Sequence, residues 1–221
     1  MVELLLPKQV TRVRFPSPAP SSSPGPAMDD SLRRELLALI AEDDALREEL
    51  AKDGSLFQGY NPDMEALHRR NAARLREIIA AAGWPGRSLV GEDGAAAAWR
   101  ILQHSIGEPG FMRGSLPVLS EAVAAGEAEP LHLAMLEDRI LCFEGRPQLY
   151  GTQYFWDEAG EGMTLHYGVE DPEGIEERRR AVGLPPIEWR RPAPPGERPP
   201  DRTGEARERE LDDWARSVGW R

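Results

Sequence analysis

The chain has 221 residues, 40% of them hydrophobic, a mean hydropathy of -0.51 and a formal net charge of -11, enough for one generous domain with tails. No run approaches the roughly 18 consecutive apolar residues of a membrane helix, and Leu4–Leu6 is too short for the apolar core of a secretion signal, so the expected location is the cytoplasm. The lone Cys142 excludes an internal disulfide, and His68, His104, His132 and His166 show no zinc-ligand spacing, so no metal and no other cofactor is expected.

The charge is unevenly spread. Residues 28–170 carry 13 basic and 25 acidic groups, a body that repels phosphate backbones. The one basic run, Arg178 to Arg180, is diluted by Glu176 and Glu177. Nucleic acid and membrane are therefore set aside as partners.

In chain order, residues 1–27 alternate proline (Pro16, Pro18, Pro20, Pro24, Pro26) with small residues and keep neither helical nor strand period, which predicts a disordered extension. Val13-Arg14-Phe15-Pro16 can be encoded by the conserved T-arm of a transfer RNA gene, and Met1-Val2-Glu3 and Leu6-Pro7-Lys8 by its D-arm and anticodon loop. The expected natural start is then Met28, the rival being a genuine disordered arm.

A domain is expected over 28–189. Leu32, Leu36, Leu39, Ile40, Leu46 and Leu50 space a first helix from Asp29 to Asp53-Gly54, either continuous or broken near Asp43. Asn61 caps a second helix over about 62–82, with Pro62 at its first position. A third runs Ala95–Ile106, a fourth Leu116–Ala125 with Pro117 in its first turn, and a fifth Pro130–Gly145. The period then becomes two. Tyr150, Thr152, Tyr154 and Trp156 share one face, and Met163, Leu165, Tyr167 and Val169 share that of a returning strand, with a turn over Asp157–Gly162. A further helix is expected within Asp171–Val182. The fold class is mainly α, a compact bundle of about five to six helices with a small β-hairpin after the fifth; stacked helical repeats are the weaker alternative. Prolines then mark a linker over 190–204, and Leu211, Trp214, Ala215 and Val218 a short terminal helix over 205–221, expected to dock on its own domain.

The fifth helix carries the chemistry. Leu131, Ala134, Met135, Asp138, Leu141 and Cys142 form one stripe, so a carboxylate interrupts an apolar face and needs donors from another element. Gln103 and His104 on the third helix form one candidate set, and Gln148, Tyr150, Thr152 and Gln153 another. Together with Asp138 and Arg139 they would form a polar cleft walled by Trp99, Phe143, Tyr154 and Trp156, suited to a small polar ligand or a peptide. If Asp138 orients His104, the histidine is a general base, and Arg139 or Gln153 holds developing negative charge in a hydrolase-like or transferase-like reaction. The bland alternative is a network that only joins helices to the hairpin.

An ordered set of motifs runs through the domain: Gly83-Trp84-Pro85 with Ser88 and Val90-Gly91, Gln103-His104, Leu136-Glu137-Asp138-Arg139-Ile140, Gln148-Leu149-Tyr150-Gly151-Thr152-Gln153, and Arg178-Arg179-Arg180 leading to Val182-Gly183-Leu184. In these the chain resembles the uncharacterised bacterial domain-of-unknown-function 6624 family over about residues 29–187. The resemblance implies no activity; it marks these polar residues as the family's signature. Ser105-Ile106 stand where the family often has a small residue and an acid, which weakens a His–acid pair at His104.

Other signals give less. Gly83–Gly94 lacks the lysine and the Ser or Thr of a phosphate loop, Ser88 and Ser115 sit in no nucleophile elbow, and Cys142 on its apolar stripe reads as a buried thiol. His68, following Leu67 on the charged side of its helix, His132 and His166 read as ordinary polar residues. Oligomeric state is not legible.

Overall fold

The computed structural model describes residues 28–57, 59–157, 159–192 and 205–221. The expected disordered extension and the proline-rich linker from residue 193 onward lie outside the described residues.

Asp29 caps α1 (Asp30–Asp53), its carboxylate accepting the N–H groups of Ser31 and Leu32, and Gly54 closes the helix in the left-handed region at φ +79°. There is no break at Asp43. The helix runs through it because Asp43 lies seven residues after Leu36 and three after Ile40, on the face that packs inward. After a short 3₁₀ turn (Ser55–Phe57), Asn61 caps α2 (Pro62–Ala82), accepting from the N–H of Asp63 at 2.9 Å.

α3 (Arg87–His104) starts earlier than the periodicity predicts: a first turn precedes Gly91, whose φ of +72° kinks the chain before the long apolar stretch. α4 (Pro109–Ala124) also starts earlier, with Pro109 at its beginning and Pro117 inside the helix. α5 (Pro130–Phe143) keeps its expected position.

The sheet is smaller and one strand richer than a hairpin. β1 (Tyr154–Trp156) pairs antiparallel with β2 (Gly162–Leu165), and β2 pairs with β3 (Arg190–Pro192), which uses residues assigned by sequence to the linker. Tyr150 and Thr152, expected in the first strand, lie in the irregular stretch before it. α6 (Ile175–Ala181) separates β2 from β3.

α7 (Glu205–Val218) docks on the helices. Leu211, Ala215 and Trp220 join the core formed by Leu36, Leu75, Leu102, Leu119, Leu136 and Phe143, and the Trp220 indole N–H donates to the Ile106 carbonyl at 2.8 Å. The architecture is mainly α, with the three-stranded sheet after the fifth helix, and no helix among the described residues is long and apolar enough to cross a membrane.

Candidate functional site

Two polar clusters stand apart in their bonding. The first is built on Asp138, which is fully buried on α5. Its Oδ1 accepts the N–H groups of Leu149 at 2.7 Å and Tyr150 at 3.0 Å; its Oδ2 accepts the N–H and the hydroxyl of Thr152, both at 2.9 Å. Burial pushes the carboxyl up, with these donors pulling it down.

The carbonyls of the same segment meet α6. Arg178 Nε donates to the Leu149 carbonyl at 2.9 Å, and Arg179 Nη1 donates to those of Tyr150 at 2.5 Å and Gly151 at 3.1 Å. Gln148 closes the loop on itself: Nε2 donates to the carbonyls of Gln153 and His166, and Oε1 accepts the Gln153 N–H at 2.8 Å. Gln153 Nε2 in turn donates to the Thr152 hydroxyl at 2.9 Å. Gly151 makes the turn at φ +65°. Asp138, Gln148, Thr152 and Gln153 are thus brought together, with Tyr150 contributing its backbone, and their bonds tie a non-repetitive segment to α5 and α6.

Asp138 does not orient His104. Both its oxygens are taken by residues 149–152, and the carboxylate that His104 meets is Asp43. Arg139 connects α5 to α3 by donating from Nη1 to the Gln103 carbonyl at 3.0 Å, and burial lowers its pKa to about 10. The aromatic residues expected as walls have different neighbours: Trp99 stacks on His132 at 4.0 Å, Phe143 on Trp220 at 5.0 Å, and the Tyr154 hydroxyl donates to the Glu188 carbonyl at 2.7 Å.

The second cluster lies where α1, α2 and α3 meet. Asp43, 1% exposed, places Oδ2 2.9 Å from His104 Nδ1 and 3.0 Å from His68 Nε2. The two imidazoles are 5.1 Å apart between ring centres. Behind them the Tyr60 hydroxyl lies 2.8 Å from His68 Nδ1, and Tyr60 packs edge-on against Trp214 of α7. His104 keeps 11% of its side chain exposed.

Burial alone would raise the Asp43 carboxyl, but the hydrogen bond from His104 and the close approach of His68 outweigh it and hold the group well below the usual carboxylate range. Burial is also the main influence on His104, pulling it down to about 4 against the opposing effect of Asp43. At neutral pH an ionised carboxylate therefore faces a neutral His104, whose Nδ1–H donates to Oδ2.

The bonding around this oxygen is incomplete. His68 Nε2 is within hydrogen-bonding distance of Oδ2 but makes no bond of acceptable direction, and Asp43 Oδ1 has no hydrogen-bond partner among the described residues. Gln103, beside His104 in the chain and fully buried, likewise leaves both side-chain amide atoms without a partner among them. Asp43, His68 and His104 each offer one ligand atom, all within 4.8 Å of one another, a donor set of two imidazole nitrogens and one carboxylate oxygen that suits a transition-metal ion.

Sequence reasoning missed Asp43 and His68. Both left a signal. Asp43 continues the stripe of Leu36 and Ile40, and His68, far from lying on a charged side, is buried four residues after Met64 and seven before Leu75. Of the remaining histidines, His166 stacks on Phe155 at 3.7 Å and is buried.

Among known families, the one described as "Family of unknown function (DUF6624)" matches residues 30–191, most of the chain, and the protein belongs to it. Comparison with curated proteins and with solved structures gives no match.

Proposed function

We propose that this DUF6624 member is a binding domain for a small polar ligand, working through Asp43, His68 and His104 with Gln103 beside them, while Asp138, Gln148, Thr152 and Gln153 hold the fold around that centre. The observation that carries this reading is the meeting of two imidazole nitrogens from different helices on one buried carboxylate oxygen, with Asp43 Oδ1 and His68 Nε2 still unsatisfied. Buried polar atoms without partners are costly, and a site that tolerates them is suited to a ligand that completes them. The Asp138 carboxylate lacks this character, since both its oxygens already hold two donors each, and among the described residues the open atom of its network is Gln153 Oε1 alone.

An acid–base version of the same reading keeps His104 as general base and replaces Asp138 with Asp43 as its orienter. The 2.9 Å contact from Nδ1 to Oδ2 supports it, because that contact fixes the tautomer that leaves Nε2 able to accept a proton. The acidic body favours a partner other than nucleic acid, and a single buried, unpaired cysteine suits a reducing compartment such as the cytoplasm.

The test is nitrogen-15 NMR of the histidine rings during titration with a low-molecular-mass cell-extract fraction treated with a chelator. The resonances of His68 and His104 should move, and Asp43→Asn should abolish the movement. Shifts confined to the amides of Leu149, Tyr150 and Thr152 would place binding at the Asp138 segment and refute the assignment.

A further inference from the structure

Asp43, His68 and His104 lie on three different helices, yet one ligand atom of each lies within 4.8 Å of the other two. We propose that they form a binding site for one divalent transition-metal ion, ligated by Asp43 through its carboxylate, His68 through Nε2 and His104 through Nδ1, the ion displacing the proton that Nδ1 otherwise shares with Asp43 so that the neutral ring carries its proton on Nε2. This rests on the assignment of the working centre to these residues and specifies what occupies it.

The two separations from the Asp43 oxygen match those of ligands around a common centre. With bonds of about 2.0–2.2 Å to nitrogen and oxygen, neighbouring ligand atoms in four- to six-coordinate sites stand about 3.0–3.4 Å apart. Asp43 Oδ2 stands 3.0 Å from His68 Nε2 and 2.9 Å from His104 Nδ1. A hydrogen bond would account for one of these contacts. It does not account for the other, because His68 Nε2 is close to the oxygen without being directed at it.

The surroundings fit the same occupant. Ligating histidines generally donate their second ring N–H to an outer partner, and the Tyr60 hydroxyl is placed to accept from His68 Nδ1 at 2.8 Å. Asp43 Oδ1, buried and without a partner among the described residues, is the second oxygen of a carboxylate able to shift between one- and two-point ligation. The donor set of two imidazoles and a carboxylate suits zinc, cobalt or ferrous iron better than calcium or magnesium, which prefer all-oxygen shells. Three protein ligands leave a coordination position for water or for an oxygen of a small polar ligand.

The experiment uses the full chain stripped with a chelator and titrated with zinc by calorimetry, and with cobalt by visible absorption. One ion per chain should bind, with the cobalt spectrum of a nitrogen- and oxygen-ligated site and a raised melting temperature. Asp43→Asn, His68→Gln and His104→Gln should each weaken binding by more than about 100-fold, while Tyr60→Phe, altering only the outer partner, should weaken it by about 10-fold. Circular dichroism of each variant in chelator establishes that it is folded; Asp138→Gln, which leaves the metal ligands untouched, is the control for damage to the fold alone.

Failure of folded wild type to bind either ion, or binding that persists unchanged in all three ligand variants, overturns the metal site. If histidine resonances then still respond to the chelator-treated extract, the binding centre stands and its occupant is not a metal. If neither metal nor extract moves them, both proposals fall.

Discussion

Replacing Asp138 measures how much of the fold depends on one buried carboxylate. Four donors end on it, three backbone N–H groups and the Thr152 hydroxyl. In Asp138→Asn the amide oxygen can keep the Leu149 and Tyr150 N–H groups, and the Thr152 hydroxyl can rotate to accept from the new NH2. The Thr152 N–H then faces another donor and loses its partner. One orphaned buried donor costs about 1–3 kcal/mol, offset in part because a buried charge is removed. Asp138→Leu strands all three backbone donors and should cost more, about 3–5 kcal/mol. For a chain of this size each kcal/mol lowers the melting temperature by about 2–4 °C. Urea unfolding followed by circular dichroism gives the free energies, and thermal melts give the order wild type, Asn, Leu. Both variants melting with or above the wild type would refute the structural role of Asp138, because sites that serve ligands commonly cost stability while sites that serve the fold supply it.

Burial, with Arg221 adding to it, lowers His166 to about 3; the unfolded chain takes up its proton near the ordinary value of 6.5. Its contribution to stability is therefore lost as pH falls through the window from about 6.5 to 3, at up to about 1.4 kcal/mol per pH unit, and His166→Phe should flatten the urea-midpoint profile there. Gly151→Ala should destabilise by about 1–2 kcal/mol, since φ is +65° and an added Cβ would lie 2.7 Å from Ile187 Cδ1; a melt equal to wild type would count against the turn as described. Trp220→Ala should cost about 3–5 kcal/mol in chemical denaturation by removing the stack on Phe143 and the bond to the Ile106 carbonyl, and a loss below about 1 kcal/mol would mean that α7 is not integral to the core.

The helices were legible because each carries its own periodic stripe and punctuation: Asn61-Pro62 opens α2, Pro130 opens α5, and Gly54 closes α1. Asp138 was legible for the same reason, as a charge on an apolar face that had to find donors. Which donors it found was not, because pairing between α5 and residues 149–152 is tertiary information. The strand pattern at Tyr150 and Thr152 was overridden when their N–H groups turned to that carboxylate. Asp43 and His68 stayed hidden because their partnership spans three helices. Each was also judged by its polarity, although each continues its helix's buried stripe.

Most backbone polar groups between Gln148 and Gln153 are engaged: the N–H groups of Leu149, Tyr150 and Thr152 go to Asp138 and that of Gln153 to the Gln148 side chain, the carbonyls of Leu149, Tyr150 and Gly151 accept from Arg178 and Arg179 and that of Gln153 from the Gln148 amide, and the Gln148 backbone pairs with the Gly168 carbonyl and the Glu170 N–H. The length of this segment is therefore fixed as firmly as that of a helical turn: one residue inserted between 148 and 153 would put the N–H and carbonyl groups out of step with both sets of partners at once. In sequences that share this fold, gain or loss of residues should fall at the turn between β1 and β2 instead. The six-residue spacing from Gln148 to Gln153 should be kept even where the side chain at position 150, whose backbone alone binds Asp138 and Arg179, is exchanged.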